Sequence, residues 1–534
     1  MQHKHIIKSL PLLASVLGRR YGVEVRIGGD DACTNGSIIQ LPSLPLDADE
    51  ILLGLVRGYI DHESAHARAT DFKALQKAGL SPLEKHIWNI LEDWRVENRL
   101  VEFFPGCREN FQWLIKHLFL PPSPGDSPND TPDAAAAHIL NWLLISVRSW
   151  DVPELTDERD RLRQLVEKHF PGLLRELDPL LSQVPKRCKS TVDAIGLARE
   201  IGGRIERYAQ LQEQKNEKGS NEQAVRTGEP GVFRPSSEAL QALRQLLASG
   251  TEFKADDTSE RVREHLVTAC NASGERLQVA VPTGTRTRAL SEEEIQRART
   301  ATTALRTRLQ ALLQSTRAVK NRSGYAGSLD KRKLHSVMTG NAKVFLRKGE
   351  RVAVNTAVHI LLDASGSMSG NAIDLAGQAC FAAASALHAI PGVSVGVTAF
   401  PGEPLGGVSN NGTSWQTVAP ILGHGRPLHS CFGINAAGCT PLDSALLWAT
   451  LLFLQRPEPR KLIFIITDGK PDRESAALAA TKVAQDNGLE LFGIGIVCPD
   501  IQHLLNAQRC RVISGISELA PAMFGMLQHA LLGR

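Results

Sequence analysis

The 534-residue chain lacks most of what would place it in a membrane, in an oxidising compartment or on nucleic acid. Its longest apolar helical run, Ala445 to Leu454, is about half of the ~20 residues that a bilayer span requires. The nine cysteines form no CxxC pair, and Cys380 and Cys498 sit inside apolar patterns, as reduced buried thiols do. Lys4 and Lys8 precede the apolar run Leu10 to Leu17, but Arg19 and Arg20 stand where a signal peptide would carry its small-residue cleavage site. Together these absences predict a cytoplasmic protein with no membrane partner. A net charge of +4 is too small to argue for nucleic acid. The basic stretch from Arg317 to Arg351 lacks interleaved aromatics, so it reads as a solvated or partner-facing surface and nucleic acid is not expected. A Walker A motif is missing too, so ATP hydrolysis would have to come from another chain.

What is present is enough for several domains. The length exceeds what one core supports, and 42% hydrophobic with 22% charged residues is ordinary for a globular protein. The sequence divides into residues 1–120, a helical region over 121–210, linkers and helices with a basic stretch over 211–350, and an alternating strand–helix segment over 351–534. The expected fold class is therefore multidomain: an α-rich N-terminal region, a helical middle and a C-terminal α/β domain with a mostly parallel, Rossmann-like sheet.

The chemistry of the last segment centres on His359-Ile-Leu-Leu-Asp-Ala-Ser-Gly-Ser-Met368. A buried strand ends on Asp363, and Ser365 and Ser367 follow at alternate positions. That turn aims one carboxylate and two hydroxyls past a strand's carboxyl end, where open α/β sheets bind ligands. Thr440 adds a hydroxyl ahead of a helix, and Asp468 closes a second buried strand, Lys461 to Asp468. Hard oxygens with two carboxylates suit Mg²⁺. Asp363, as a strand-end carboxylate, is expected to lie outside the hydrophobic core. Strands are predicted at Ala357–Leu362, Val393–Ala399, Lys461–Thr467, Leu489–Ile496 and Arg511–Ser514, with helices over 372–389, 441–455, 474–487 and 517–532. The Gly/Pro/Asn/Ser-rich insertion Pro401–Ala437 is expected to loop over the sheet edge, and its His424 and His429 are given no role.

A second constellation lies near the N-terminus. Asp47 or Asp49 caps a helix that carries His62-Glu63-Ser64-Ala65-His66. Histidines at i and i+4 share one helical face and can reach one Zn²⁺, and Glu63 is placed to take a proton from metal-bound water. A further helix begins at Ser81-Pro82 with Glu84 completing a capping box. On it Glu92 is the favoured third zinc ligand and Asp93 the alternative, with Arg95 and Glu97 as orienting groups and His86 a weaker candidate.

Asp363, Ser365, Ser367, Thr440 and Asp468, in this order and context, resemble the metal-ion-dependent adhesion site of a von Willebrand factor A (VWA) domain. The segments Asn355 to Met368, Gly438 to Leu442, Arg460 to Asp472 and Phe492 to Ile496 are similar to the VWA region of the CobT-type subunit of cobaltochelatase. That resemblance implies a protein partner, a hexameric AAA+ ATPase of the MoxR/CobS type, and a protein client. The chain departs from that subunit by lacking its long acidic central region and by carrying HExxH. Residues 50–100 resemble the zincin-like metallopeptidase domains fused to bacterial VWA domains. The expected functions are a Mg²⁺-binding substrate-recognition or adaptor partner of such an ATPase, a zinc metallopeptidase acting through Glu63, or a metal-chelatase subunit.

Overall fold

The computed structural model describes residues 10–45, 49–120, 135–219, 235–248, 258–272, 276–284, 287–300, 307, 322–324, 328–329, 343–347, 355–405 and 415–532. Residues 121–134 and 220–234, and most of the basic stretch expected at Arg317–Arg351, lie outside them.

The N-terminal part is a helical body on a small sheet. Helix α1 (Leu10–Tyr21) leads into strand β1 (Glu24–Ile27), which pairs in parallel with β2 (Ile38–Leu41). Asp49 caps α2 (Glu50–Ala69), its side chain accepting from the Leu52 N–H at 2.7 Å. Ser81 and Glu84 close the expected capping box at the start of α3 (Pro82–Phe103). Next come α4 (Cys107–Phe119), α5 (Ala135–Arg148), the shorter helices Thr156–His169 and Leu173–Arg187, and α6 (Thr191–Gly219). The helices Thr156–His169 and Leu173–Arg187 are separated at Gly172, whose left-handed φ of 83° stops one before the next begins. Helix α7 (Thr258–Ala272) returns to pack on α2. Among the described residues no helix is long and apolar enough to cross a membrane.

The C-terminal part is a seven-stranded sheet. Strand β3 (Val281–Pro282) belongs to it although it precedes the segment in sequence. The others are β4 (Thr356–Asp363), β5 (Val393–Phe400), β6 (Thr417–Leu422), β7 (Arg460–Thr467), β8 (Glu490–Ile496) and β9 (Cys510–Ile513). Their order is β9-β8-β7-β4-β5-β6-β3. Helices α8 (Asn371–His388) and α11 (Leu519–Leu532) cover one face, α9 (Leu442–Leu454) and α10 (Glu474–Asp486) the other. The sheet is parallel except where β6 runs antiparallel to β5. Strand β6 corrects the reading of 401–437 as a loop. Its Pro420 hid it, yet proline is tolerated here because a register shift falls beside it and its side chain is exposed. Ser517, the expected first residue of the last helix, sits instead in a one-turn 3₁₀ segment ahead of it.

The two parts are stitched together. Arg276–Leu277 pairs with Leu44–Pro45, β3 with β6, and Thr287–Arg288 with Gly433–Ile434. One apolar core runs from α1 through the helical body to the α9/α10 face of the sheet, and a second fills the α8/α11 face.

Candidate functional site

Two constellations form, one at the sheet's carboxyl edge and one between α2 and α3. At the edge, β4 and β7 are neighbours in parallel register, Leu362 against Ile466, so the turns after them lie side by side. Asp363 is fully buried, which corrects the expectation that it stands outside the core. Its Oδ1 accepts from the Ser365 N–H at 2.9 Å and its Oδ2 from the Thr467 hydroxyl at 2.5 Å. The Ser365 and Ser367 hydroxyl oxygens are 3.0 Å apart, and Ser367 donates to Asp468 Oδ1 at 2.7 Å. Thr440 joins them across Gly469, where a Cβ would meet Thr440 Oγ1 at 3.3 Å and Ser367 Oγ at 3.7 Å. All five expected residues are thus brought to one place. Burial, with Asp468 adding to it, pushes the Asp363 carboxyl up to about 6.

Asp472 was missed by sequence reasoning. Thr440 N–H donates to its Oδ1 at 3.0 Å, and its own N–H donates to the Thr440 carbonyl at 3.1 Å. This reciprocal clasp, together with Gly366 N–H to the Gly438 carbonyl at 3.0 Å, fixes the three loops relative to each other. The signal was present as a second aspartate four residues after Asp468. The donor set fits a hard divalent cation: two carboxylates and three hydroxyls, with no nitrogen or sulfur, and a buried carboxyl whose charge a cation would stabilise. Ser365, Ser367, Thr440 and the two aspartates would hold it.

In the helical body, His62, His66 and Asp93 present ligand atoms that all lie within 4.8 Å of one another. His62 is buried, and its Nδ1 lies 2.8 Å from Glu97 Oε1. His66 places Nδ1 3.0 Å from Thr70 Oγ1 and Nε2 3.1 Å from Asp93 Oδ1. Glu63 is buried beside them, its carboxyl raised by burial against the pull of both imidazoles. Glu92 does not take part, which corrects the favoured third ligand. Successive helical residues are rotated by about 100°, so Glu92 faces away from α2 while Asp93 faces the histidines. There Glu92 accepts from Arg95 Nη2 at 2.6 Å and Nε at 2.9 Å, and from Thr191 Oγ1 at 2.8 Å. Of the two expected orienting groups, Glu97 reaches His62, while Arg95 serves Glu92.

Arg148, at the end of α5, was not anticipated. It is fully buried, donating to Glu97 Oε2 at 2.6 Å, Asp93 Oδ2 at 3.2 Å and Thr258 Oγ1 at 2.9 Å. Burial opposes charge on both carboxyls; Arg148 and His62 overcome it and hold Glu97 and Asp93 below the usual carboxylate range. Burial likewise works against a charged His62, yet Asp93 and Glu97 push it up to about 9. Two imidazoles and one carboxylate match the donor chemistry of a zinc site. Ligand atoms around one Zn²⁺ stand roughly 3.4 Å apart, so a modest closure of the trio would be needed.

His424 has a structural place that sequence reasoning did not give it. Its Nε2 lies 3.1 Å from Nδ1 of His359, which is buried in the middle of β4, and its Nδ1 lies 3.1 Å from Ser394 Oγ. His359 Nε2 lies 3.0 Å from Thr398 Oγ1. Both rings are held uncharged by burial, His424 down to about 4, with Arg456 adding to the effect there.

Comparison with known proteins places these sites in context. No curated protein matches the chain. Among solved structures it is similar to the manganese-loaded TRAP protein of Plasmodium vivax at 13% identity, covering 34% of this chain and 74% of that one with a TM-score of 0.25. It is also similar to proximal thread matrix protein 1 from the mussel byssus, with a zinc-occupied MIDAS motif, at 12% identity, 56% and 80% coverage and a TM-score of 0.28. At such scores these likenesses add nothing to what the chain's own strands and loops show. Residues 8–144 match the family model of the cobalamin biosynthesis protein CobT, and residues 344–419 that of the CobT VWA domain. The chain is thus similar to CobT over these two segments, one in the helical body and one in the sheet.

Proposed function

We propose that this protein is an adaptor that binds Mg²⁺ at the Asp363 site and, through that ion, engages a AAA+ ATPase of the MoxR/CobS type on behalf of a protein client. The observation that carries this reading is the convergence of Asp363, Ser365, Ser367, Thr440 and Asp468 at one sheet edge. Such a donor set leaves an octahedral cation short of one protein ligand, and a carboxylate from a partner would supply it. The matches to CobT models over residues 8–144 and 344–419 support a protein partner of this kind. The test is the affinity of the purified chain for the ATPase in Mg²⁺ and in EDTA. A loss of tenfold or more in EDTA is expected, and equal affinity would sink the reading.

A second reading concerns the helical body and is compatible with the first. His62, His66 and Asp93 hold Zn²⁺, and Glu63 acts as the base beside it, in a zincin-like site whose substrate the VWA domain recruits. The specific support is the trio, with His62 and Asp93 buried and His66 partly so, together with Glu97 behind His62, the usual arrangement that fixes a ligating imidazole. A metal-chelatase subunit ranks third, because the chain has no long acidic central segment.

A further inference from the structure

If the second reading holds and His62 ligates zinc, it does so through Nε2, since Nδ1 is engaged by Glu97. That nitrogen is covered: Ser259 Oγ lies 2.8 Å from it. A zinc ion would sit about 2.0–2.1 Å from the same nitrogen along the same direction, so the serine hydroxyl at 2.8 Å overlaps the metal's own seat and has to step aside, into the fourth position or clear of the site, when a metal enters. Ser259 comes from the first turn of α7, nearly two hundred residues after the histidine.

The contact is built into the fold. Thr258, the preceding residue, is buried and accepts from Arg148 Nη2 at 2.9 Å, and Arg148 in turn holds Asp93 and Glu97. Two adjacent hydroxyls thus fasten the start of α7 to the two ends of one polar cluster. Further along, Arg263 binds Asp31 at 2.9 and 3.0 Å, and Arg261 donates to the Leu118 carbonyl at 2.9 Å, which seats the helix against β1–β2 and α4. Small and neutral, a serine hydroxyl closes a fourth position and still leaves easily, unlike a thiolate or carboxylate.

We propose that Ser259 is a lid on the HExxH centre: it closes the fourth position of a metal held by His62, His66 and Asp93, and the start of α7 must withdraw before an exogenous ligand reaches that metal. This inference rests on the zinc reading and deepens it. The latent state then lies in the chain itself, and whatever pulls on α7 opens the site.

Co²⁺ substitution in the full chain separates the two claims. Wild type, Ser259→Ala and Ser259→Cys are each titrated with Co²⁺, followed by visible absorption, and then with acetohydroxamate. The lid predicts that Ser259→Ala binds acetohydroxamate at least tenfold more tightly than wild type. It also predicts that Ser259→Cys gains a sulfur-to-cobalt charge-transfer band, because a thiolate now stands at the metal. Co²⁺ uptake by Ser259→Ala but not by wild type would support the lid as well, the hydroxyl then excluding the metal outright. Equal hydroxamate affinity in wild type and Ser259→Ala, with no charge-transfer band in Ser259→Cys, overturns the lid and leaves the metal site standing. Failure of every form to take up Co²⁺ ends the metal reading and the lid with it.

Discussion

Asp363 and Asp93 show how single residues decide what each site can do. Asp363 is a buried carboxylate with two donors, so Asp363→Ala strands the Ser365 N–H and leaves the Thr467 hydroxyl only the Gly469 carbonyl. That should cost about 1–3 kcal/mol of stability in addition to the metal. Ser367→Ala, at an exposed turn, should weaken cation binding with little change in Tm, and comparing the two variants by calorimetry and Mn²⁺ titration checks this. At the other centre, Asp93→Asn should release zinc, because two imidazoles rarely retain it alone. Glu92→Gln should keep the zinc and lose stability, since it breaks a buried pair with Arg95. Elemental analysis of the two variants distinguishes them. The histidine pair predicts a pH effect. A folded pKa near 4 against about 6.5 unfolded means that the unfolded chain takes up protons first as pH falls. Stability is therefore full above about pH 6.5 and declines towards pH 4, by on the order of 2 kcal/mol at pH 4.5 for His424 alone. The groups facing this pair are Ser394, Thr398, Arg456 and Glu458. Tm of wild type should fall between pH 7 and 4.5 more steeply than that of His424→Gln.

At the scale of elements, periodicity and capping were legible because their signals are local. The Ser81–Glu84 box, the Asp49 cap and the aliphatic runs of β4, β7 and β8 each show within a few residues, and the strands came out within a residue or two of their ends. What was hidden depends on partners far away in sequence. Strand β6 exists because β5 and β3 pair with it, and no aliphatic run announces it. Glu92 and Asp93 differ only by a rotation about the helix axis, and which of them meets α2 is set by how α3 packs. The HExxH helix carries a device of the same kind. Gly54 and Gly58, one turn apart on α2, let α4 approach so closely that a Cβ on Gly54 would stand 2.4 Å from the Trp113 ring and one on Gly58 2.9 Å from Leu114. Glycine usually weakens a helix interior, so its presence here marks close packing. Gly54→Ala should gain helix propensity yet lower stability by about 1–3 kcal/mol through overpacking, measurable by urea unfolding.

Over the whole molecule, the helical body and the sheet share a core. The α9 face with Leu446, Leu447, Trp448 and Leu451 lies in the same apolar cluster as α1 and the helical body. Arg473, just past the clasp residue Asp472, binds Asp443 and donates to the Arg276 carbonyl at 2.8 Å, tying the sheet-edge loops to the strand that follows α7. A fragment of residues 351–534 would lose that cover and strand β3, so it should unfold at lower temperature than the full chain and bind a hydrophobic dye. The full chain should melt with the helical body and the sheet coupled. Two well-separated calorimetric transitions would contradict a shared core.

The central claim is a divalent cation held by the five edge residues, and Mn²⁺ titration of the full chain, followed by electron paramagnetic resonance, tests it most directly. Zinc is supplied beforehand so that the HExxH centre does not compete. One Mn²⁺ should bind and be displaced by Mg²⁺, with affinity falling at least tenfold in Asp468→Ala while His66→Ala leaves it unchanged. No saturable Mn²⁺ in wild type, or binding that Asp468→Ala does not weaken, would contradict it.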